Sequence, residues 1–175
     1  MDETMLSYIW AEDRTGVIGD RGRLPWHLPT EMHHFTVLTT GHPIIMGART
    51  FRSFPKGPLP NRRNLVLTHQ PAHLLGQGIE VIHDVESIYR MIDAEPAEEF
   101  FVIGGNSLFE SLLPLVDKLY QTQIDHDYRG DVRMIPIPWN QFELVRQRQL
   151  PADGQTPALT FNEYRRIKGK SKVEL

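Results

Sequence analysis

Cysteine is absent from the chain, and its absence excludes several kinds of chemistry. Without a thiol there can be no disulfide, no zinc–thiolate centre and no cysteine nucleophile. The chain also lacks any run of about eighteen apolar residues, the length that crosses a bilayer. Its first ten residues, MDETMLSYIW, have neither the basic start nor the cleavage motif of a secretion signal. We therefore expect a soluble, untargeted protein of the cytoplasm.

A strong excess of charge is absent as well. The net charge is -3 and the isoelectric point is about 6.2, which argues against general affinity for nucleic acids or membrane surfaces. Apolar residues make up 40% of the 175 residues and charged residues 23%, a globular composition. There is no internal repeat and no low-complexity linker. We expect one domain over residues 1–167, followed by a polar, mobile tail at 168–175.

Short apolar or β-rich runs alternate with helical patterns in the first two thirds of the chain. The strand candidates cover residues 5–13, 42–47, 64–69, 79–84 and 100–105. The helix candidates cover about 29–40, about 48–54, 85–94 and 107–113, the last with capping-box spacing between Ser107 and Glu110. Such alternation predicts right-handed crossovers and a mainly parallel sheet of the α/β class.

The last third of the chain has a different pattern. KLYQTQID, FELVRQRQL and LTFNEYRRI follow one another with turns such as PADGQTP and no helix between them. This arrangement predicts antiparallel strands added to the edge of the sheet.

Two standard phosphate-binding motifs are missing, namely G-x-G-x-x-G after the first strand and the P-loop. Two strand-to-helix junctions remain as candidates for binding an anion. Gly104 and Gly105 end one strand candidate, and Gly47 ends another just before Arg49 and Thr50. Backbone amides there could approach a diphosphate without obstruction from a Cβ atom, or the glycines could simply meet the needs of a turn.

Two further segments have an ordinary and a functional interpretation. Residues 12–26 contain three glycines and could form a lid over a ligand or a plain surface connection. Arg62 and Arg63 could be a solvated charge pair or a clamp for a carboxylate or phosphate.

Glu31 lies on the opening turn of the first predicted helix, where Leu28, Met32 and Phe35 indicate a buried face. A carboxylate could favour the helix dipole there, but next to Trp26 and these apolar residues it would also lose hydration and need a partner. A heterocycle presenting an N–H and an amino group on one edge would supply that partner.

A metal site at Glu31 is the competing interpretation, because His27, His33 and His34 lie close by in the sequence. Against it, H-E-x-x-H is absent and no cysteine can complete a ligand set. We therefore expect no metal and take the histidines as surface or rim residues.

Seven blocks in order carry a specific resemblance: WAEDRTGVIG, LPWHLPTEMHHF, PIIMGARTF, PLPNRRNLVLT, FVIGGNSLFESLLP, LYQTQID and RGDVRMIP. Together, over residues 5–167, they resemble dihydrofolate reductase of the bacterial chromosomal type. The resemblance implies a mixed, mainly parallel eight-stranded sheet with a C-terminal antiparallel hairpin and four flanking helices. It also implies hydride transfer from NADPH to C6 of dihydrofolate with protonation at N5, in one-carbon metabolism.

The resemblance further implies residue roles. Glu31 would bind the N3 and 2-amino edge of the pterin, supported by Thr122 and by a water held at Trp26. Arg62 would clamp the carboxylate of the glutamate tail. The apolar walls of the substrate site would be Ile9, Met32, Phe35, Phe54, Leu59 and Ile103.

For the cofactor, the resemblance places residues at the nicotinamide, at two phosphate turns and at the adenosine 2'-phosphate. The residues at the nicotinamide would be Ala11, Ile18 and Gly19. Those at the first phosphate turn would be Gly47, Arg49 and Thr50. The second turn, with an implied cis Gly104-Gly105 peptide, is Ile103, Gly104, Gly105, Asn106, Ser107, Leu108 and Phe109. The 2'-phosphate would be recognised from Thr68 and His69.

Three positions depart from the bacterial pattern. Glu31 stands where aspartate is usual, and Phe109 replaces a frequent tyrosine. Ala48 stands where an arginine often helps hold the 2'-phosphate, so the preference for NADPH would rest on Arg49 and His69.

Other functions stay open on the sequence. The related reductase of riboflavin biosynthesis shares the fold, and a non-catalytic NADPH or folate binder could use the same scaffold. The expected small-molecule partners are dihydrofolate and antifolates such as methotrexate or trimethoprim, and monomer is the default because no oligomer interface stands out.

Overall fold

The computed structural model describes residues 5–169, apart from the side chain of Leu74. In chain order the strands are β1 (Met5–Glu12), β2 (Val17–Gly19), β3 (Ile44–Gly47), β4 (Asn64–Leu67), β5 (Glu80–Ile82), β6 (Glu99–Gly104), β7 (Lys118–Ile124), β8 (Val132–Arg133), β9 (Phe142–Leu150) and β10 (Leu159–Arg166). The helices are α1 (Pro29–Thr39), α2 (Ala48–Arg52), α3 (Val85–Ala94) and α4 (Asn106–Leu112), with 3-10 turns at Ala72–Leu74, Leu113–Leu115 and Trp139–Gln141.

Eight strands form the main sheet in the order β5-β4-β3-β6-β1-β7-β10-β9. The pairs from β5 to β7 are parallel, whereas β10 runs antiparallel to both β7 and β9. The predicted fold class, an α/β protein with a mixed, mainly parallel sheet and a C-terminal antiparallel hairpin, is therefore confirmed. Residues 170–175 of the predicted mobile tail lie outside the described residues.

Three details of the predicted elements are wrong. KLYQTQID was expected to be antiparallel, but β7 pairs parallel with β1, because α4 carries the chain back across the sheet between β6 and β7. The capping box at Ser107 does not form, because α4 already begins at Asn106, with Gly105 as N-cap and no side-chain cap. A small second sheet made of β2 and β8 had no counterpart in the prediction.

Alternation along the strands divides the core between the two faces of the main sheet. On one face Tyr8 and Trp10 pack with Ile88 of α3 and Phe109 of α4. On the other face Ile9 packs with a cluster next to α1 and α2 that includes Phe51. Within the described part of the chain, no helix is long and apolar enough to cross a membrane.

Candidate active site

Glu31 lies in the first turn of α1, a helix that Pro29 opens from the N-cap residue Leu28. Leu28 is buried, and Trp26 is only 7% exposed. Burial raises the pKa of the Glu31 carboxyl from its ordinary 4.5 to about 7, and the nearby Trp26 side chain opposes the rise only in part. At neutral pH the Glu31 carboxyl is therefore close to half ionised, although it lies in an apolar setting.

The indole N–H of Trp26 is an orphaned donor beside this carboxyl. Nε1 is buried and has no hydrogen bond of standard geometry to the described residues. Its proximity to Glu31 is nevertheless enough to lower the pKa of that carboxyl. A buried donor and a desolvated acid next to one another fit a polar ligand edge that completes the hydrogen bonds of both.

Thr122 lies on β7, paired with Ala11 of β1 on one side and Phe161 of β10 on the other. Its side chain is 2% exposed. No direct hydrogen bond joins it to Glu31 within residues 5–169, so its supporting role stays a prediction.

The structure brings most of the predicted apolar walls together on the α1 side of the sheet. One cluster contains Ile9, Phe35, Phe54, Leu59 and Ile103. Met32 was expected on the buried face of α1 and is instead 45% exposed. Thr39 is the one residue of α1 that is fully buried, because the helix packs on the sheet mainly through its C-terminal half. Met32 can therefore contribute to the substrate site only as an exposed side chain that a bound ligand would cover.

The two arginines have different roles. Arg63 forms hydrogen bonds through Nε and Nη2 to Glu80 and through Nη1 to Glu95, so it ties β4 to β5 and to the end of α3. Arg62 is half-buried and donates to Pro60 O over 2.8 Å and to Thr39 Oγ1 over 2.9 Å. These two bonds fix the Arg62 guanidinium, while its Nη2 has no hydrogen bond to the described part of the chain. Arg62 is thus the arginine that can clamp an anion.

The two glycine turns meet at the carboxyl ends of the neighbouring strands β3 and β6, where Met46 pairs with Gly104. The Gly104-Gly105 peptide is cis, as the resemblance implied, and Gly104 has φ of +125°. A Cβ atom at Gly47 would lie 4.0 Å from Gly105 N, and one at Gly104 would lie 3.6 Å from Thr50 Oγ1. These are ordinary contact distances, so it is the positive φ of Gly104 that requires glycine; the lack of Cβ atoms at both turns leaves backbone amides accessible, which fits a diphosphate held against them.

The residues that follow the second turn divide between surface and core. Asn106 Nδ2 donates to Arg133 O over 2.5 Å, while its buried Oδ1 has no partner among the described residues. Ser107 is exposed. Leu108 and Phe109 are 3% and 1% exposed. Their side chains belong to the core, so only their backbone atoms could contact the cofactor as predicted.

The other predicted cofactor residues lie around the ends of β1, β3 and β4. Ile18 and Gly19 belong to β2, and Asp131 N donates to Gly19 O over 3.1 Å. Thr68 is 9% exposed, and its hydroxyl accepts from Gln70 N. Arg49 and His69 are exposed, as a cation that meets a ligand phosphate would be.

The residues around Glu31 do not form a metal-binding cluster. No group of three or more His, Asp or Glu side chains within the described chain could hold an ion. His34 stacks on Phe161 at 4.0 Å between ring centroids, and burial beside Arg148 lowers its pKa to about 4. His27 and His33 are exposed.

Sequence reasoning missed Asp13 and Tyr128. Asp13 is 3% exposed and accepts hydrogen bonds from Thr15, Val17 and the distant Tyr128. The local half of this arrangement had a signal, since Asp followed two residues later by Thr before a glycine is typical of a side-chain-capped turn. Its partner Tyr128, 115 residues further along the chain, had none.

A half-buried acid on a helix beside an α/β sheet, with an open glycine cradle at the carboxyl ends of the strands, is typical of a nucleotide-dependent enzyme. A family model described as dihydrofolate reductase matches residues 5–166. The chain is 41% identical over 140 residues to dihydrofolate reductase of Staphylococcus aureus, covering 80% of this chain and 84% of that protein. It is 39% identical over 153 residues to that of Bacillus subtilis, covering 87% and 89%.

A solved structure agrees with these relatives. Dihydrofolate reductase from Enterococcus faecalis, complexed with NADP(H) and RAB-propyl, has a TM-score of 0.87 and 35% sequence identity, covering 95% of this chain and 98% of that one. The chain belongs to the dihydrofolate reductase family.

Proposed function

We propose that this chain reduces 7,8-dihydrofolate to 5,6,7,8-tetrahydrofolate, with hydride transfer from NADPH to C6 and protonation at N5. The observation that carries the proposal is the desolvated Glu31 carboxyl, whose pKa is raised to about 7, next to the unpartnered Trp26 N–H. The family match favours folate over the flavin precursor that the related reductase uses.

Glu31 binds the pterin through its carboxylate. The ionised group accepts hydrogen bonds from N3–H and the 2-amino group, a two-point contact that compensates for the lost hydration. At the other end of the substrate, Nη2 of Arg62 donates to a carboxylate of the glutamate tail. Between these two ends, the apolar cluster around Ile9 and Phe54 contacts the pterin and benzoyl rings.

NADPH supplies the hydride when it is bound. The open backbone at Gly47 and at Gly104-Gly105 receives its diphosphate, with Thr50 Oγ1 lying against the second of these turns. Ala11, Ile18 and Gly19 border the nicotinamide, while Arg49, Thr68 and His69 meet the 2'-phosphate. The two turns lie on adjacent strands of one rigid sheet, so the cofactor is held at a fixed position relative to Glu31.

Catalysis rests mainly on this alignment, which can lower the barrier by about 7 to 11 kcal/mol. Ionised Glu31 stabilises the positive charge that develops on the pterin ring and so favours protonation at N5. The carboxyl itself is engaged at the far edge of the ring, so the proton comes from water admitted beneath residues 12–26 rather than from Glu31.

Glu31→Gln tests this assignment. We expect NADPH binding to persist while the hydride-transfer rate at pH 7 falls by about two orders of magnitude, with a smaller loss in acid as dihydrofolate itself becomes protonated. Stopped-flow absorbance of NADPH gives the rate, and Glu86→Gln on the exposed side of α3 is the matched control. Unchanged turnover of the Glu31 variant from pH 6 to pH 8 would refute the role.

The remaining parts of the proposal concern domain, partners and location. Residues 1–167 act as one domain in the cytoplasm, and 2,4-diamino antifolates such as methotrexate or trimethoprim compete for the Glu31 edge. A protein that only binds these ligands is the alternative to an enzyme. Tight methotrexate binding without loss of NADPH absorbance on adding dihydrofolate would favour that alternative.

A further inference from the structure

Asp13 is a buried carboxylate at the end of β1 with four hydrogen bonds to two separate segments. Its Oδ1 accepts from Thr15 N over 2.8 Å, from Thr15 Oγ1 over 2.9 Å and from Val17 N over 2.9 Å. Its Oδ2 accepts from Tyr128 N over 2.7 Å. Burial alone would raise the pKa of Asp13, but these bonds hold it below the ordinary value, so the group is ionised at neutral pH.

The two segments that Asp13 joins are the turn at residues 13–17 and the connection after β7. They also meet through the backbone, where Arg14 N donates to His126 O over 3.1 Å. Asp13 Oδ2 is nevertheless the atom that fixes the Tyr128 backbone, because it accepts the N–H of that residue directly.

Tyr128 in turn packs against Trp26, the tryptophan close to Glu31. The ring centroids of Trp26 and Tyr128 are 5.3 Å apart, with an interplanar angle of 55°. Both residues pack in the cluster that includes Leu28, the N-cap of α1. A continuous set of contacts therefore runs from Asp13 through the Tyr128 backbone and ring to the Trp26 indole, which packs with Leu28 at the start of the helix that carries Glu31.

We propose that Asp13 is a positioning residue, which holds the Tyr128 ring against Trp26 and thereby fixes the position of the indole next to the first turn of α1, where Glu31 lies. The proposal rests on the proposed function, in which Glu31 binds the pterin. It adds that the acid's affinity for a proton, and with it the pH range of substrate binding, is set in part by a carboxylate that touches neither substrate nor cofactor.

Asp13→Asn tests the proposal, because an amide that replaces the carboxylate must turn its NH₂ group toward one of the N–H donors and lose a hydrogen bond. The measurement is the dissociation constant of dihydrofolate for the NADPH-saturated protein between pH 5.5 and 8.5. Binding needs ionised Glu31, so affinity falls below a midpoint that follows the pKa of Glu31. Loss of the Trp26 contact moves that midpoint upward, and a rise of about half a pH unit weakens binding roughly threefold on its acid side.

Other titrating groups must be separated from this midpoint. His34, one turn after Glu31, is neutral across the range, because burial beside Arg148 lowers its pKa to about 4. His126 stacks on Tyr128 at 4.4 Å between ring centroids, so every variant is also measured with His126→Gln. Asp84→Asn is the matched control, because that carboxylate also accepts a backbone N–H, from Ser87, but on α3.

Two variants of Tyr128 keep the test decisive if Asp13→Asn folds poorly. Tyr128→Leu removes the ring that contacts Trp26 and should raise the midpoint as Asp13→Asn does. Tyr128→Phe keeps the ring and should restore the parent midpoint. The NADPH dissociation constant should stay unchanged in both Tyr128 variants.

A midpoint that stays at the parent value in Asp13→Asn and in Tyr128→Leu would overturn the proposal and leave Asp13 a purely structural residue. Failure of the proposed function itself gives a different result. In that case the parent shows the same pH dependence of dihydrofolate binding as Glu31→Gln.

Discussion

At the scale of single residues, Glu31 shows how far sequence reasoning reaches. An acid between apolar neighbours at the start of a helix is visible in the sequence, and in the structure this acid is half-buried and has the expected raised pKa. The family resemblance singled out Arg62, but the local pattern could not separate it from Arg63, because the separation depends on Glu80 and Glu95, which reach Arg63 only in the folded sheet. Local pattern predicts that a residue is unusual, and tertiary contacts determine which of two similar residues is the functional one.

Replacement of Glu31 by glutamine should stabilise the ligand-free protein in alkali. The folded-state pKa lies above the ordinary 4.5, at about 7, so this carboxyl makes its full contribution to stability below pH 4.5 and loses it as the pH rises to 7. Glutamine has no such loss, so above pH 7 the variant should gain on the order of 1 to 3 kcal/mol over the parent. Urea unfolding at pH 5 and pH 8 measures the difference. An equal gain at both pH values would contradict a buried, ionising acid.

Ala48→Arg should strengthen the preference for NADPH over NADH. Ala48 opens α2 directly after Gly47, and an arginine there would add a cation to the exposed Arg49 at the same turn. The ratio of kcat/KM for the two cofactors should rise by about tenfold, the value of one added charged hydrogen bond. Ser53→Arg, just after the end of α2, controls for added charge alone. A ratio that rises equally in both variants would assign the effect to general electrostatics.

At the scale of elements, residues 13–26 and 125–134 form one unit that the sequence shows only as two loops. β2 has three residues and β8 has two, too short for any periodicity to appear. Their pairing joins positions more than 110 residues apart, which no local pattern can predict. The hypothesis of a lid at residues 12–26 therefore named one half of the unit and left its partner segment out.

Gly130→Ala should push residues 13–26 away from residues 125–134. A Cβ atom there would lie 2.2 Å from Val17 Cγ1 and 2.6 Å from Gly19 O, so β2 must move. Because Ile18 and Gly19 border the proposed nicotinamide site, we expect hydride transfer to slow by up to about 100-fold while the urea midpoint changes little. Gly154→Asn, in the open turn before β10, is the matched glycine replacement and should leave the rate unchanged. Parent-like hydride transfer in Gly130→Ala would show that β2 does not position the cofactor.

At the scale of the whole molecule, the order of the main-sheet strands and the helices up to β6 followed from the sequence, because buried parallel strands are short apolar runs bounded by turn residues. The direction of β7 did not, although a helix at 107–113 was expected before it, because the sequence from KLYQTQID onward shows no further helical pattern, which is typical of successive antiparallel strands. Arg166, on the last strand, joins these regions. Its guanidinium donates to Val116 O, Leu113 O and Gln141 Oε1, which connects β10 to the segments before β7 and β9.

Arg166→Met should therefore destabilise the whole fold. The buried carbonyl of Val116 and the part-buried carbonyl of Leu113 lose their donors, and we expect the free energy of unfolding to fall by about 2 to 4 kcal/mol. Urea denaturation measures the loss, and Arg165→Met, an exposed neighbour on the same strand, is the control. The hydride-transfer rate of the folded variant should stay near that of the parent, because none of the hydrogen-bond partners of the Arg166 guanidinium is a residue of the proposed site. A loss of rate without a loss of stability would contradict this structural role.

The small β2–β8 sheet has a consequence for how ligand occupancy can be followed. Its backbone bonds, including Asp131 N to Gly19 O and Met134 N to Gly16 O, tie together two surface segments rather than strands of the main sheet. Brief opening should therefore expose these amides to solvent deuterium long before global unfolding does. If NADPH binding orders these two segments, deuterium uptake at these amides should slow when NADPH is added. The exchange of each amide would then report cofactor binding without any turnover.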